Sequence, residues 1–209
     1  ITYDQTRGVI AGEVLDIDEA AGTATPVSGV QVSVTYTDGT APTGHTIVYL
    51  DQNEAPAGPA QTATSASGLF VIVNLPPGKY TITANNGTDT FTVPTAKVFS
   101  GSVTDGMIRR IPSGGINGRV TDAGGTAVSG ATISAYREVT DTSGTWYQWV
   151  TDALTDGSGN FSISGLADGN YVLEGYADGP LYAVYDSVDL LENGTLITVS
   201  GAPQTLASD

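Results

Sequence analysis

The sequence predicts an all-β chain of two antiparallel β-sandwiches in tandem, with about seven strands each. Three observations predict this. Apolar residues recur with period two, as on a strand with one buried face, and no long stretch has helical spacing. Turn dipeptides punctuate the chain at Asp38-Gly39, Pro77-Gly78, Asn86-Gly87, Asp105-Gly106, Asp156-Gly157 and Asn193-Gly194. One unit also occurs twice, in the same internal order.

The repeat needs no gap. Gly68, Phe70, Ile72, Leu75, Gly78 and Tyr80 align with Gly159, Phe161, Ile163, Leu166, Gly169 and Tyr171. Upstream, "PVSGVQVSV" ending at Val34 matches "AVSGATISA" ending at Ala135. The first domain is expected over 1–111, with a long insertion near 36–62, and the second over 112–209. The boundary is the strand-breaking "RRIPSGG" around Pro112.

In the first domain Val30, Val32 and Val34 share one strand face, with Gln31 and Ser33 on the other. In the second, strands are expected near 116–121, 131–139, 145–154, 160–164, 170–177, 181–189 and 195–201. Phe161 and Ile163 point inward and Ser162 and Ser164 outward, followed by Tyr171 and Leu173. Trp146, Trp149, Tyr176 and Tyr182 are expected in or beside that core.

Composition narrows the function classes. Of 209 residues, 40% are hydrophobic and 14% charged, which is a globular balance rather than a disordered one. The net charge of -15 repels phosphate backbones and anionic membrane surfaces, which argues against nucleic acid and such membranes as partners. The absence of cysteine excludes disulfides, zinc–thiolate centres and thiol nucleophiles. No run of about 18 apolar residues is present to span a bilayer. A chain that starts at Ile1 reads as a secreted product with its leader removed, or as a trimmed chain. The expected location is extracellular or at the cell surface.

The second domain reads "GxVxDxxGxxVxGAxIxxY…TDxxGxFxIxxLxxGxYxL", carried by Gly118, Val120, Asp122, Gly130, Ala131, Asp156, Gly159, Phe161, Leu166, Gly169 and Tyr171. This resembles the carboxypeptidase regulatory-like domain, an Ig-like or transthyretin-like (prealbumin-like) sandwich. It is similar too to the B-type repeats of collagen-binding adhesins. The resemblance implies an accessory domain found on many unrelated proteins, which specifies fold better than function. Some B-type repeats form an isopeptide bond between a lysine in an early strand and an Asn or Asp in a late one, beside a buried acid. Lys79 and Lys97 are the only lysines, and Glu174 lies one residue before the family's acid position, so the bond is not expected.

Several residues are candidate sites. Asp16, Asp18 and Glu19 at one strand end, and Asp152 and Asp156 with Asn160 around a second loop, are the calcium candidates. Asp186 and Asp189 are expected on a later strand. The EF-hand order is absent after Asp156, so no cofactor is expected beyond that calcium option, and solvated turn carboxylates explain the same residues. His45, the one histidine, has no nucleophile motif beside it. Trp146, Tyr147 and Trp149 in "TWYQWV" are the carbohydrate-stacking candidates: Trp146 and Gln148 share one face, Tyr147 and Trp149 the other. Asn86, Asn160 and Asn193 head Asn-x-Ser/Thr glycosylation patterns, and two of them are also Asn-Gly hairpin-turn signals.

These readings favour a non-catalytic extracellular structural protein. It would be a subunit or stalk of a filament, pilus-like fibre or adhesin, self-associating or joining other surface proteins. The terminal segments "ITYDQTRGVIAGEV" and "LITVSGAPQTLASD" are the candidate strand donors. The alternative is a carbohydrate-binding accessory module of a secreted polysaccharide-degrading enzyme. "YVLEGYADG" is also similar to the middle β-sandwich of some rhamnogalacturonan lyases.

Overall fold

The computed structural model describes residues 2–19, 21–177, 182–185 and 191–206. They form two compact units, one of Ile1–Asp18 and Gly22–Ile111, the other of Glu19–Ala21 and Pro112–Asp209.

The first unit contains β1 (Gly8–Asp18), β2 (Thr23–Pro26), β3 (Gln31–Tyr36), β4 (Thr46–Tyr49), β5 (Leu69–Leu75), β6 (Gly78–Asn85), β7 (Thr90–Phe91), β8 (Thr95–Val98), β9 (Val103–Asp105) and β10 (Ile108–Ile111). One sheet runs β4-β5-β1-β10-β7, with β2 and β9 also paired to β1; the other runs β3-β6-β8. The period-two pattern decides what lies between them. Ile10, Val14, Phe70, Ile72 and Leu75 of the first sheet are buried against Val32, Val34, Tyr80, Ile82 and Val98 of the second. Burying each of the larger side chains stabilises the fold by roughly 1.5–3 kcal/mol.

The second unit contains β11 (Gly114–Arg119), β12 (Thr132–Asp141), β13 (Gly144–Leu154), β14 (Asn160–Leu166), β15 (Gly169–Tyr176), β16 (Tyr182–Val184), a 3-10 turn (Leu191–Asn193), β17 (Ile197–Val199) and β18 (Pro203–Thr205). Its sheets run β14-β11-β18 and β13-β12-β15-β16, with β17 also on β15. Ile116, Phe161, Ile163 and Leu166 pack against Ile133, Ala135, Tyr171, Leu173 and Val199. The all-β double sandwich is therefore as the sequence predicts. The described strands number ten and eight rather than seven each, the surplus being short pieces such as β2, β7, β9 and β18. Of the strand expected at 181–189, only 182–185 are described, and 186–190 lie outside the described residues.

The two units share an internal lock. In the second, the Thr155 hydroxyl donates to the Val128 carbonyl (2.7 Å) and accepts the Ala131 N–H (2.9 Å). Its backbone accepts from Gly130 (3.0 Å) and donates to Ala131 O (2.9 Å). In the first, Thr64 makes the same four bonds to Val27, Gly29 and Val30 (2.7–3.0 Å). Both threonines are buried. The "VSG" turn that leads into β3 or β12 is thereby tied to the chain before β5 or β14. A second lock follows one strand later: the Tyr80 hydroxyl donates to Pro76 O (2.5 Å) and that of Tyr171 to Ala167 O (2.8 Å). Glycine is required at the start of β5 and β14. Gly68 and Gly159 have φ of +69° and +78°, and a Cβ would lie 2.7 Å and 2.4 Å from the Val14 and Val120 carbonyl oxygens.

The units differ where the repeat is interrupted. The strand between the two halves of the repeat joins β5 in the first unit, as β4, but joins β12 in the second, as β13. The outer edge of β3 is closed by other groups. Val30 N–H donates to Thr64 Oγ1 (3.0 Å), Val32 N–H to the Tyr49 hydroxyl (2.8 Å), and Tyr36 N–H to Thr40 O (2.8 Å).

The first and last strands of each unit pair in parallel. Val14 and Leu15 of β1 lie opposite Ile108 and Arg109 of β10, and Gly115 to Asn117 of β11 opposite Pro203 to Thr205 of β18. The segments expected as free strand donors are thus largely built into their own sheets: Gly8–Val14 is part of a central strand, and 203–205 pairs with β11. Ala207 to Asp209 lie outside the described residues. Among the described residues no helix is long and apolar enough to cross a membrane.

Candidate functional site

The chemistry-bearing side chains that come together lie on the second unit's larger sheet. On β12, Ile133 and Ala135 enter the core, so Thr132, Ser134 and Tyr136 face the other way. Pairing sets Leu154 and Tyr176 beside Thr132, Asp152 and Glu174 beside Ser134, and Trp149 and Val172 beside Tyr136. The Tyr136 hydroxyl donates to Glu174 Oε2 (2.9 Å), and the Tyr176 hydroxyl donates to the same oxygen. Glu174 is 4% exposed. Burial pushes the Tyr136 phenol above its ordinary range, and the adjoining Glu174 carboxylate pushes the same way. Burial also raises Tyr147, with Glu138 and Glu192 adding to it.

The indole N–H of Trp149 donates to Asp152 Oδ1 (2.9 Å), which fixes the ring while leaving it 55% exposed. Trp146 is 43% and Tyr176 42% exposed. The expectation that these three pack in or beside the core is corrected. Val150 and Ala153 of β13 pack against the core, but Trp149 shares the outer face with Tyr136, Trp146 lies opposite Val139 beyond the stretch of β12 that pairs with β15, and Tyr176 lies on the face of β15 opposite Leu173. The side chain of Tyr182, the fourth expected core residue, lies outside what is described. The face assignment within "TWYQWV" agrees with the register: Tyr147 and Trp149 oppose Glu138 and Tyr136, Trp146 and Gln148 oppose Val139 and Arg137. The stacking candidates therefore split between two faces.

The calcium candidates are scattered. Asp16 pairs with Arg110, whose other nitrogen lies 3.8 Å from Asp89. Asp18 closes β1, with Glu19 next to it. Asp152 holds Trp149. Asp156 organises its turn: Oδ1 accepts from Ser158 N–H (2.8 Å) and Asn160 N–H (2.9 Å), which holds its carboxyl below the usual range. Asp122 and Asp51 build the same turn with the N–H groups two and four residues on (2.8–3.0 Å). Among the described residues no three of His, Asp and Glu converge to hold a metal ion. Asp186 and Asp189 lie outside the described residues.

His45 Nδ1 lies 3.0 Å from the Pro42 carbonyl. Lys79 and Lys97 are exposed and face each other across β6 and β8, and the Lys97 ammonium sits 4.8 Å from the Phe99 ring centre. Glu174 points away from the core, between the inward Leu173 and Gly175. Asn86 heads a turn in which its carboxamide oxygen accepts from Thr88 and Asp89 N–H (3.1 and 2.9 Å). Asn160 is exposed at the start of β14. Asn193 is exposed in the 3-10 turn, and Asn86-Gly87 links β6 to β7, which do not pair, so neither Asn-Gly turn is a hairpin and both readings are corrected.

Sequence reasoning misses the Thr64 and Thr155 locks and the pairing of Glu174 with Tyr136 and Tyr176. Aligning the repeat three residues further upstream would have paired the two threonines. Nothing local signals the second, which depends on register across β12 and β15.

No curated protein matches the chain. Among solved structures it is similar to the Bacillus anthracis TIE protein (14% identity, TM-score 0.35), covering 96% of this chain and 33% of that one. It is also similar to a streptococcal ancillary pilin (15%, 0.34; 97% and 65%) and to GBS52, the minor pilin of Streptococcus agalactiae (16%, 0.33; 95% and 93%). The chain thus spans about a third of the first and 65% of the second. A family model, the carboxypeptidase regulatory-like domain, matches residues 115–200. Over that span, which takes in Gly118, Phe161, Leu166, Gly169 and Tyr171, the second half of this chain carries a carboxypeptidase regulatory-like domain.

Proposed function

We propose that this chain is a non-catalytic structural module of an extracellular or surface-displayed assembly, such as the stalk of a fibre or adhesin. The observation that carries the reading is the parallel pairing of first and last strands in each unit. Parallel neighbours point the same way, so the chain enters a sandwich at one end and leaves it at the other. A module threaded end to end serves as a spacer. What the repeat keeps also supports this: the Thr64/Thr155 and Tyr80/Tyr171 locks are framework rather than reactive groups. The occupied terminal strands disfavour donation of the termini described here, and leave lateral edges as the means of association. Immunogold labelling of intact producing cells tests the reading. Label along surface fibres or at the envelope supports it, and label seen only after permeabilisation refutes it.

A second reading rests on the outer face of the second unit. The fixed, exposed ring of Trp149, beside Tyr136, Tyr176 and Asp152, offers stacking surface and acceptors suited to a neutral sugar. Binding to a glycan panel that is lost in Trp149→Ala supports it. Absence of binding to every glycan ends it.

A further inference from the structure

The open edges of the described sheets are not finished alike. β3 is closed by Thr64, Tyr49 and Thr40. β4 has four residues, and the Tyr49 carbonyl is taken by Ala57 N–H (3.0 Å). β8 carries the charge of Lys97, whose carbonyl accepts from Thr104 Oγ1 (3.0 Å). β14 is interrupted at Gly165, where the register against β11 slips. β2 has four residues and ends at Pro26, and β7, β16, β17 and β18 have two or three. Each is short, charged, kinked or capped, the devices that keep an edge from pairing with another chain.

β13 departs from this. It is an edge of eleven residues, GTWYQWVTDAL, with Asp152 its one charge and no Lys, Arg or Pro. Val150 is an extra residue against β12, so Gly144–Trp149 forms the regular part. Among the described residues no strand pairs with β12 on its β15 side beyond Arg137, so Glu138–Asp141 and Gly144–Tyr147 form a two-stranded arm. Such a ribbon is marginal alone, and this one carries exposed Trp146.

We propose that the Gly144–Trp149 edge pairs antiparallel with the same edge of a second copy of this chain. With the other described edges capped, short or charged, the edge that matches β13 in length is β13 itself. A two-fold register centred on Tyr147 keeps each residue on its own face. It sets Trp146 against the partner's Gln148 on one side and Thr145 against the partner's Trp149 on the other. No charge then opposes a charge. Asp152 falls beyond the paired stretch. The opposing force is long-range. Residues 112–209 contain twelve Asp and Glu against two basic residues, Arg119 and Arg137, so two such units repel. Pairing is therefore strengthened by salt, as screening shortens from about 10 Å at 0.1 M to about 3 Å at 1 M. The inference is independent of the stalk reading, whose labelling test reads location and not pairing.

Sedimentation of the whole chain over a concentration series, at low and high salt, tests it. The mass should double with concentration, at lower protein levels in high salt. Tyr147→Lys puts two ammonium groups together across the axis while facing Glu138 within its own arm. It should abolish the dimer at concentrations where the parent pairs. The chain has no cysteine, so Tyr147→Cys offers an unambiguous cross-link: mild oxidation should give a covalent dimer, and exposed Gln52→Cys should not. A parent that stays monomeric throughout, a Tyr147→Lys dimer as strong as the parent's, or equal cross-linking from both cysteines would each overturn the proposal.

Discussion

Thr155→Val removes one hydroxyl and leaves the shape of the side chain nearly unchanged. That hydroxyl serves two backbone groups, the Ala131 N–H at 2.9 Å and the Val128 carbonyl at 2.7 Å. Ala131 is 2% exposed, so its N–H is stranded without water and costs roughly 1–3 kcal/mol. Val128 is half-buried, and solvent partly replaces the bond to its carbonyl, for about 1 kcal/mol. The added methyl returns about 0.8 kcal/mol. The net loss is about 1–3 kcal/mol, a large share of the roughly 5–15 kcal/mol that holds a domain together. In a unit of this size it lowers the melting temperature by roughly 4–24 °C. Both tryptophans, Trp146 and Trp149, lie in the second unit, so urea unfolding followed by tryptophan fluorescence reads that unit alone. Thr155→Ser keeps both bonds and should cost about 1 kcal/mol, the loss of a methyl. If Thr155→Val unfolds at the parent's urea midpoint, or Thr155→Ser falls as far as Thr155→Val, the lock is not what holds the turn.

Other perturbations follow from the same contacts. Tyr171→Phe loses the bond to Ala167 O and should destabilise the second unit by about 1 kcal/mol by the same fluorescence assay. Gly118→Ala puts a Cβ 2.6 Å from the Phe161 ring, and the overpacking should cost roughly 1–3 kcal/mol, measured as a shift in urea midpoint at constant slope. The Asp156 carboxyl is held below its ordinary 3.8 by turn hydrogen bonds. Its contribution is therefore present above that value and is lost as pH falls through the lower folded value. Asp156→Ala should then be less stable than the parent near neutrality and converge with it in strong acid, as followed by thermal melts across pH. Equal separation at all pH values would contradict this account.

The sandwich class was legible because its determinants are local. Alternation in "VQVSV" and "NFSISGL", and glycine at the start of β5 and β14, leave one face apolar and one residue in a left-handed turn, whatever lies far away. The partner of an edge strand is not local. "HTIVYL" and "TWYQWV" both lie between the two halves of the repeated unit, yet β4 joined β5 and β13 joined β12. Period two reports which side chains share a face, and says nothing of which backbone lies alongside. The same limit explains the tryptophans: large apolar residues are expected inside, and the edge position that exposes Trp146 and Trp149 is set by sheet order. The site around Glu174 was illegible for a related reason. Tyr136 lies 38 residues from Glu174, and the two meet through the register of β12 on β15. The carboxylates followed simple turn chemistry, as Asp51, Asp122 and Asp156 each cap a loop of the same design.

The parallel pairing of first and last strands has a mechanical side. Tension applied through the two ends of a unit pulls β1 against β10, or β11 against β18, along their length and in opposite senses. The hydrogen bonds between Gly115–Asn117 and Pro203–Thr205 then bear load together in shear, instead of parting one at a time as an antiparallel hairpin does when peeled from its open end. Under force the rate that matters is that of unfolding. Each sandwich is strung so that the strands a pull must separate first are those it loads most evenly.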